Sequence, residues 1–152
     1  MNREINNFNI RVYGLLINSN REVLLSTERR KDFRFTKFPG GGMNFGEGTK
    51  ECLKREFMEE LGIEIHVVEH YYTTDFFLPS VFFKQDQIFS VYYLVENKSN
   101  QAIINGRRAE DTAEGDEHYF HWEKIKNLTE EDFTFPIDKK VISLLQKDAR
   151  FK

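Results

Sequence analysis

The chain is poor in cysteine: Cys52 stands alone among 152 residues, so no internal disulfide can form. Its opening residues, MNREINNFNI, lack the basic-then-apolar layout of a secretory leader. Together these predict a reducing, cytoplasmic setting. No apolar run approaches the roughly 18 residues that a membrane helix needs, so no membrane partner is expected. Nor does either charge dominate. A formal net charge of -3 with a pI near 5.9 offers no long-range pull toward duplex nucleic acid or an anionic bilayer. Internal repeats and low-complexity tracts are absent too, which leaves a single domain over residues 1–152 as the expectation. What is present is bulk. Apolar residues make up 39% of the chain and include fifteen phenylalanines, large packing units for a chain that can bury a core of its own.

Strand formers dominate NIRVYGLLI (Asn9 to Ile17) and EVLLST (Glu22 to Thr27), with the turn residues Asn18, Ser19 and Asn20 between them, and predict a hairpin. TERRKDFRFTKF (Thr27 to Phe38) has no clear period, and PGGGMNFGEG (Pro39 to Gly48) is crowded with glycine; the two read as one long loop. Thr49 then caps a helix running to about Leu61, ended by Gly62, with Leu53, Phe57 and Leu61 as its core-facing stripe. Ile63 to Thr74 and Gln87 to Val95 are further strands, separated by a loop with Pro79. Glu117 to Trp122 is another strand. Asp138 to Gln146 closes the chain as an amphipathic helix. Strands mixed with two helices predict an α+β fold, with helices layered on a sheet.

Within the first helix, REFMEELG sets Glu56, Glu59 and Glu60 on one arc of about a third of the circumference. Like charges at these spacings each cost a helix a few tenths of a kcal/mol, roughly, so the cluster opposes folding unless a positive charge occupies its face. A hard divalent cation meets that need with oxygen ligands. The competing reading is a solvated acidic face. The glycines ahead of the helix shift the balance, because they let backbone carbonyls approach a ligand closely.

From Gly41 the sequence GGMNFGEGTKECLKREFMEELGI resembles the Nudix box. Gly41, Glu47, Arg55, Glu56, Phe57, Glu59, Glu60, Gly62 and Ile63 fill its fixed positions in register, with Phe57 standing where Leu, Ile or Val is usual. The resemblance implies an α/β/α sandwich with a central mixed β-sheet. It also implies a metal-dependent pyrophosphohydrolase that cleaves the diphosphate linkage of a nucleoside diphosphate derivative. Carried over, it makes Glu56, Glu59 and Glu60 ligands for Mg²⁺ or Mn²⁺, with help from Glu47 or the Gly41 carbonyl. Arg55 would orient a neighbouring carboxylate. Metal-bound water would then attack phosphorus in line. Either Glu56 or a glutamate in the later EGDEHYFHW segment would take the proton; there Glu117 comes first and Glu114 second, against an exposed acidic turn that also holds Asp116.

Pro79 lies where relatives that cleave ADP-ribose tend to carry a proline, against the plain reading of a loop proline. ADP-ribose, a nucleotide sugar, and a nucleoside triphosphate, including an oxidised one, all stay open as substrates. Arg29, Arg30 and Arg34 can reach phosphate oxygens, against a solvated basic turn. Phe33, Phe35, Tyr72, Phe76, Phe83 and Phe135 are eligible to stack on a base, though most belong to the core. Cys52 reads as packing, and His66, His70, His118 and His121 show no zinc spacing, though His118 and His121 are eligible to border the active site, against structural or exposed histidines on strands. A homodimer is expected from the resemblance alone. The alternative function is a non-catalytic nucleotide-binding module; the intact set of carboxylates in the box favours the enzyme.

Overall fold

The computed structural model describes residues 4–152; residues 1–3, which begin the stretch read above for a leader, lie outside them. Eight strands and two helices follow one another. They are β1 (Asn7–Leu16), β2 (Glu22–Arg30), β3 (Phe33–Lys37), β4 (Gly40–Gly42), α1 (Thr49–Leu61), β5 (Ile65–Thr73), β6 (Asp86–Asn97), β7 (Arg107–Arg108), β8 (Glu117–Lys124) and α2 (Pro136–Lys147). The strands form two four-stranded sheets, a mixed one ordered β4-β1-β6-β5 and an antiparallel one ordered β3-β2-β8-β7. In the mixed sheet β1 runs parallel to β6 from Asn7↔Asp86 to Leu16↔Val95.

Alternation along the strands sends side chains to two helix-covered faces. Val12 and Leu16 of β1, Val91, Tyr93 and Val95 of β6, and Leu24 and Phe120 of the antiparallel sheet meet Leu53, Phe57 and Leu61 of α1. Tyr13, Leu15, Tyr92 and Leu94 meet Ile137, Val141, Ile142 and Leu145 of α2. That is the expected sandwich. Each such side chain, fully buried, contributes about 1.5–3 kcal/mol.

Two expected elements are corrected. β1 and β2 are not a hairpin: past the single bridge Ile17↔Val23 they part into different sheets, because each finds a longer partner elsewhere, β1 in β6 and β2 in β8. The segment from Thr27 to Gly48 is not one long loop. β2 continues to Arg30, turns through Lys31 at φ 56°, and pairs with β3 in register Arg30↔Phe33 to Ser26↔Lys37. Gly40–Gly42 then add a strand to β1. Glycine is required there by close approach: a Cβ on Gly40, at φ +147°, would lie 2.0 Å from the Val12 carbonyl oxygen.

The N-cap of α1 is Gly48, one residue before the expected Thr49. The Gly48 N–H donates to the Glu51 carboxylate at 3.1 Å, whereas Thr49 turns its hydroxyl to Tyr93 at 2.7 Å. At the other end Gly62, at φ 65°, donates its N–H to the Met58 carbonyl, the left-handed stop that glycine permits. No helix among the described residues is long and apolar enough to cross a membrane.

Candidate active site

The carboxylate arc of α1 faces a cleft whose other walls are β4, the ends of β2 and β3, and the segment between β7 and β8. Glu28, Glu56, Glu59, Glu60, Asp111, Asp116 and Glu117 line it, against three cationic side chains, Arg11, Arg30 and Lys37, with the His118 ring 3.1 Å from Glu28. Its position follows from the fold. β4 lays Gly41 beside Val12 on one flank, and a Cβ there would fall 2.5 Å from the Glu56 carboxyl carbon. Glycine at 41 therefore makes the space that Glu56 occupies.

Arg55 organises the arc. Its guanidinium donates to both oxygens of Glu47, at 2.6 and 3.0 Å, to Glu56 at 2.9 Å, to Glu59 at 3.2 Å and to the Gly42 carbonyl at 2.9 Å. The forked pair with Glu47 is the strong form of such a contact. Glu47 accepts in addition from the Asn44 N–H at 2.8 Å, and Arg55 together with that bond holds its carboxyl down to about 2. Glu47 is thus the latch between the glycine loop and α1, and does not line the cleft.

Glu60 is the other extreme. It is only 7% exposed, and burial pushes its carboxyl up to about 8; Lys37 opposes the shift, while Glu56, Asp111 and Glu28 add to it. Asp111 is raised as well, first by burial and then by Glu59 and Glu28. As the side chains stand, no three His, Cys, Asp or Glu groups among the described residues are gathered closely enough to chelate an ion. The donor chemistry nevertheless suits a hard divalent cation: carboxylates in excess of cations, a buried carboxyl short of positive charge, and a glycine backbone laid against a carboxylate.

Next to the cleft lies an apolar pocket of about 820 Å³, counted with the space at its mouth, between the two sheets. Arg11, Glu28, Arg30 and Lys37 line both spaces and mark the junction. The Arg30 guanidinium lies over the rings of Phe35 and Phe82, 5.7 and 5.9 Å from their centroids. Lys37, buried, donates to the Gly40 carbonyl at 3.3 Å.

Of the residues expected at the site, Gly41, Glu56, Glu59, Glu60 and Glu117 line the cleft, Phe35 and Pro79 line the apolar pocket, and Arg30 lines both. Arg29 and Arg34 lie elsewhere. On β2 and β3 they alternate with Glu28, Arg30, Phe35 and Lys37, so they point out of the opposite face of the sheet. There Arg34 donates to the Tyr119 hydroxyl, and Arg29 pairs with Glu117 at 3.4 Å. Glu117 is consequently half exposed at the rim, with its side chain drawn toward Arg29. Cys52 is fully buried, and its thiol is pushed up to about 12, first by that burial.

Sequence reasoning missed Arg11, Glu28, Lys37 and Asp111. Lys37 was within reach of it, since a strand through Phe33, Phe35 and Lys37 puts all three on one face. Asp111 carried no local signal. It arrives because the Glu110 N–H donates to the Glu60 carbonyl at 2.8 Å, tying that loop to α1.

The sequence profile of the NUDIX domain matches residues 7–145. The chain therefore belongs to the Nudix family and is a hydrolase of that family. No curated protein sequence matches it. Among solved structures it is similar to a NUDIX hydrolase from Nitrosomonas europaea, with a TM-score of 0.69 at 14% identity over 90% of this chain and 87% of that one. It is similar too to a MutT protein from Methanosarcina mazei Go1, with a TM-score of 0.66 at 19% identity over 100% of both chains. A UDP-X diphosphatase matches with a TM-score of 0.63 at 16% identity, over 91% of this chain and 61% of that one. At these identities the likeness concerns the fold.

Proposed function

We propose that the cleft hydrolyses the diphosphate linkage of a nucleoside diphosphate derivative, with Mg²⁺, or Mn²⁺ in its place, held by Glu56, Glu59, Glu60 and the Gly41 carbonyl. The observation that carries this reading is the buried Glu60 carboxyl, ringed by other carboxylates and opposed chiefly by Lys37, beside three cations at the junction with an apolar pocket. When bound, the cation offsets phosphate charge and acidifies a water. Arg55 positions Glu56 and Glu59 through its hydrogen bonds. Arg11, Arg30 and Lys37 receive the phosphate oxygens, and the apolar pocket takes the group beyond them. Of the two carboxylates weighed for the proton of the attacking water, Glu56 is supported by its place inside the cleft against Gly41, whereas Glu117 stands half exposed at the rim; each is also paired with an arginine, Arg55 and Arg29 respectively.

The test is a panel of ADP-ribose, nucleotide sugars and nucleoside triphosphates with Mg²⁺ or Mn²⁺, with product identification, for the wild type and Glu60→Gln. We expect metal-dependent release of a phosphorylated product from at least one substrate, reduced at least a hundredfold, roughly, in the variant. No turnover anywhere in the panel, with ligand binding equal in the two proteins, would identify a non-catalytic nucleotide-binding module instead.

A further inference from the structure

Ser90 sits on β6 beside Arg11 of β1, fully buried, at the floor of the apolar pocket. Its backbone is well served. The Ser90 N–H donates to the Thr74 hydroxyl at 2.8 Å, and its carbonyl accepts from the Thr74 N–H at 2.9 Å and the Thr74 hydroxyl at 3.1 Å. Its side-chain hydroxyl has no partner, alone among the buried polar side-chain atoms of the described residues. A buried, unpaired hydroxyl weakens a fold relative to the alanine that would replace it, so its presence is accounted for by a partner that the chain does not supply, a water or a ligand.

Three other polar side chains of the pocket lining are held by neighbours. Asn9 donates to Asp86 at 3.1 Å, Arg11 donates to the Tyr13 hydroxyl at 2.6 Å, and Asp138, itself buried, accepts from the Tyr92 hydroxyl at 2.5 Å. Another part of the lining is aromatic. Phe35, Phe82 and Phe135 pack on one another with centroids 5.4 to 6.2 Å apart, mostly edge to face. At that spacing no ring fits between them, and they form one aromatic wall, on which Phe33 and the Arg30 guanidinium also pack.

A largely apolar lining with few polar side chains does not suit a sugar, whose several hydroxyls would each need a partner. It suits a flat ring that stacks on the wall and turns a polar edge to the floor. The geometry points to Ser90 as a specificity-determining residue, whose hydroxyl hydrogen-bonds the polar edge of a nucleobase lodged against the Phe35, Phe82 and Phe135 wall. This rests on the proposed function only in that it takes the neighbouring cleft as the seat of the phosphates.

The experiment measures binding rather than turnover. Nucleoside 5′-monophosphates of the natural bases are titrated by calorimetry in the presence of EDTA, with ribose 5-phosphate as the base-free control. The proteins are the wild type, Ser90→Ala and Ser90→Cys, each with its thermal midpoint. We expect the wild type to bind at least one nucleotide more tightly than ribose 5-phosphate. Ser90→Ala should lose about tenfold for that nucleotide, the worth of one ordinary hydrogen bond, and nothing for the control, with an unchanged or raised midpoint. Ser90→Cys, with a much weaker donor and acceptor in nearly the same volume, should show the same selective loss. Equal affinity of wild type and variants for every nucleotide, or no nucleotide preferred over ribose 5-phosphate, overturns the assignment. So does a lowered midpoint with the same loss for nucleotide and control, which would mark the hydroxyl as serving the fold. Failure of the hydrolysis panel leaves this readout standing, so the two conclusions fail separately.

Discussion

Arg55 shows how much one side chain can carry. It gathers Glu56 and Glu59 of α1 and Glu47 of the loop before it, three carboxylates that would otherwise repel one another. Arg55→Lys keeps the charge and loses the fork. We expect turnover to fall by about one to two orders of magnitude while the helical circular dichroism signal stays unchanged. Asp138 provides a titration signature. Burial pushes its carboxyl up to about 7, with the Tyr92 hydrogen bond opposing. The folded chain therefore keeps a proton that the unfolded chain has released, and this contribution is full below the ordinary aspartate value near 3.8 and is lost as pH rises through about 7. Between those limits urea denaturation should show stability falling by as much as about 4 kcal/mol more in the wild type than in Asp138→Asn.

At the scale of elements, α1 and β1 are fitted to each other through Phe57 and Gly14. A Cβ on Gly14 would meet the Phe57 ring at 2.8 Å, with Val95 next at 3.3 Å. Gly14→Ala should destabilise by about 1–3 kcal/mol through overpacking. In the double variant with Phe57→Leu, part of that cost should vanish, giving a favourable coupling of about 0.5 kcal/mol or more in a denaturation cycle. Strictly additive losses would show that the ring does not set the spacing. The same scale explains which elements were legible. α1, α2, β5, β6 and β8 carry their period within themselves. β3 and β4 do not: β3 is five residues of mixed charge and aromatics, made a strand by its ladder to β2, and β4 is three glycines held by β1. β1 and β2 looked like a hairpin because a short turn joins two strands, and nothing local says that each has a longer partner far along the chain.

For the whole molecule, the cleft is a place where stability and chemistry oppose each other. Glu60 is buried among carboxylates, with its folded value near 8 and its ordinary value near 4.5, so its charge costs stability increasingly as pH rises across that window. Glu60→Gln should therefore raise the thermal stability of the metal-free protein above pH 7, by about 1 kcal/mol or more, while removing activity. Adding Mg²⁺ should raise the midpoint of the wild type and leave that of the variant nearly unchanged, as scanning calorimetry can measure.

The sequence by itself determined the carboxylate helix, its glycine-rich approach and its register, because glutamates on one helical face and glycines at close contacts are local features, written in spacing. It also determined the α+β character, through the periods of the longer elements. Tertiary structure alone decided what surrounds that helix. It turned Arg29 and Arg34 out of the opposite face, drew Glu117 to the rim, and brought in Arg11, Lys37 and Asp111, because pairing between distant strands sets which face of each strand looks into the cleft. It also left Ser90 buried with an unpaired hydroxyl, since the absence of a partner is a property of every neighbour at once.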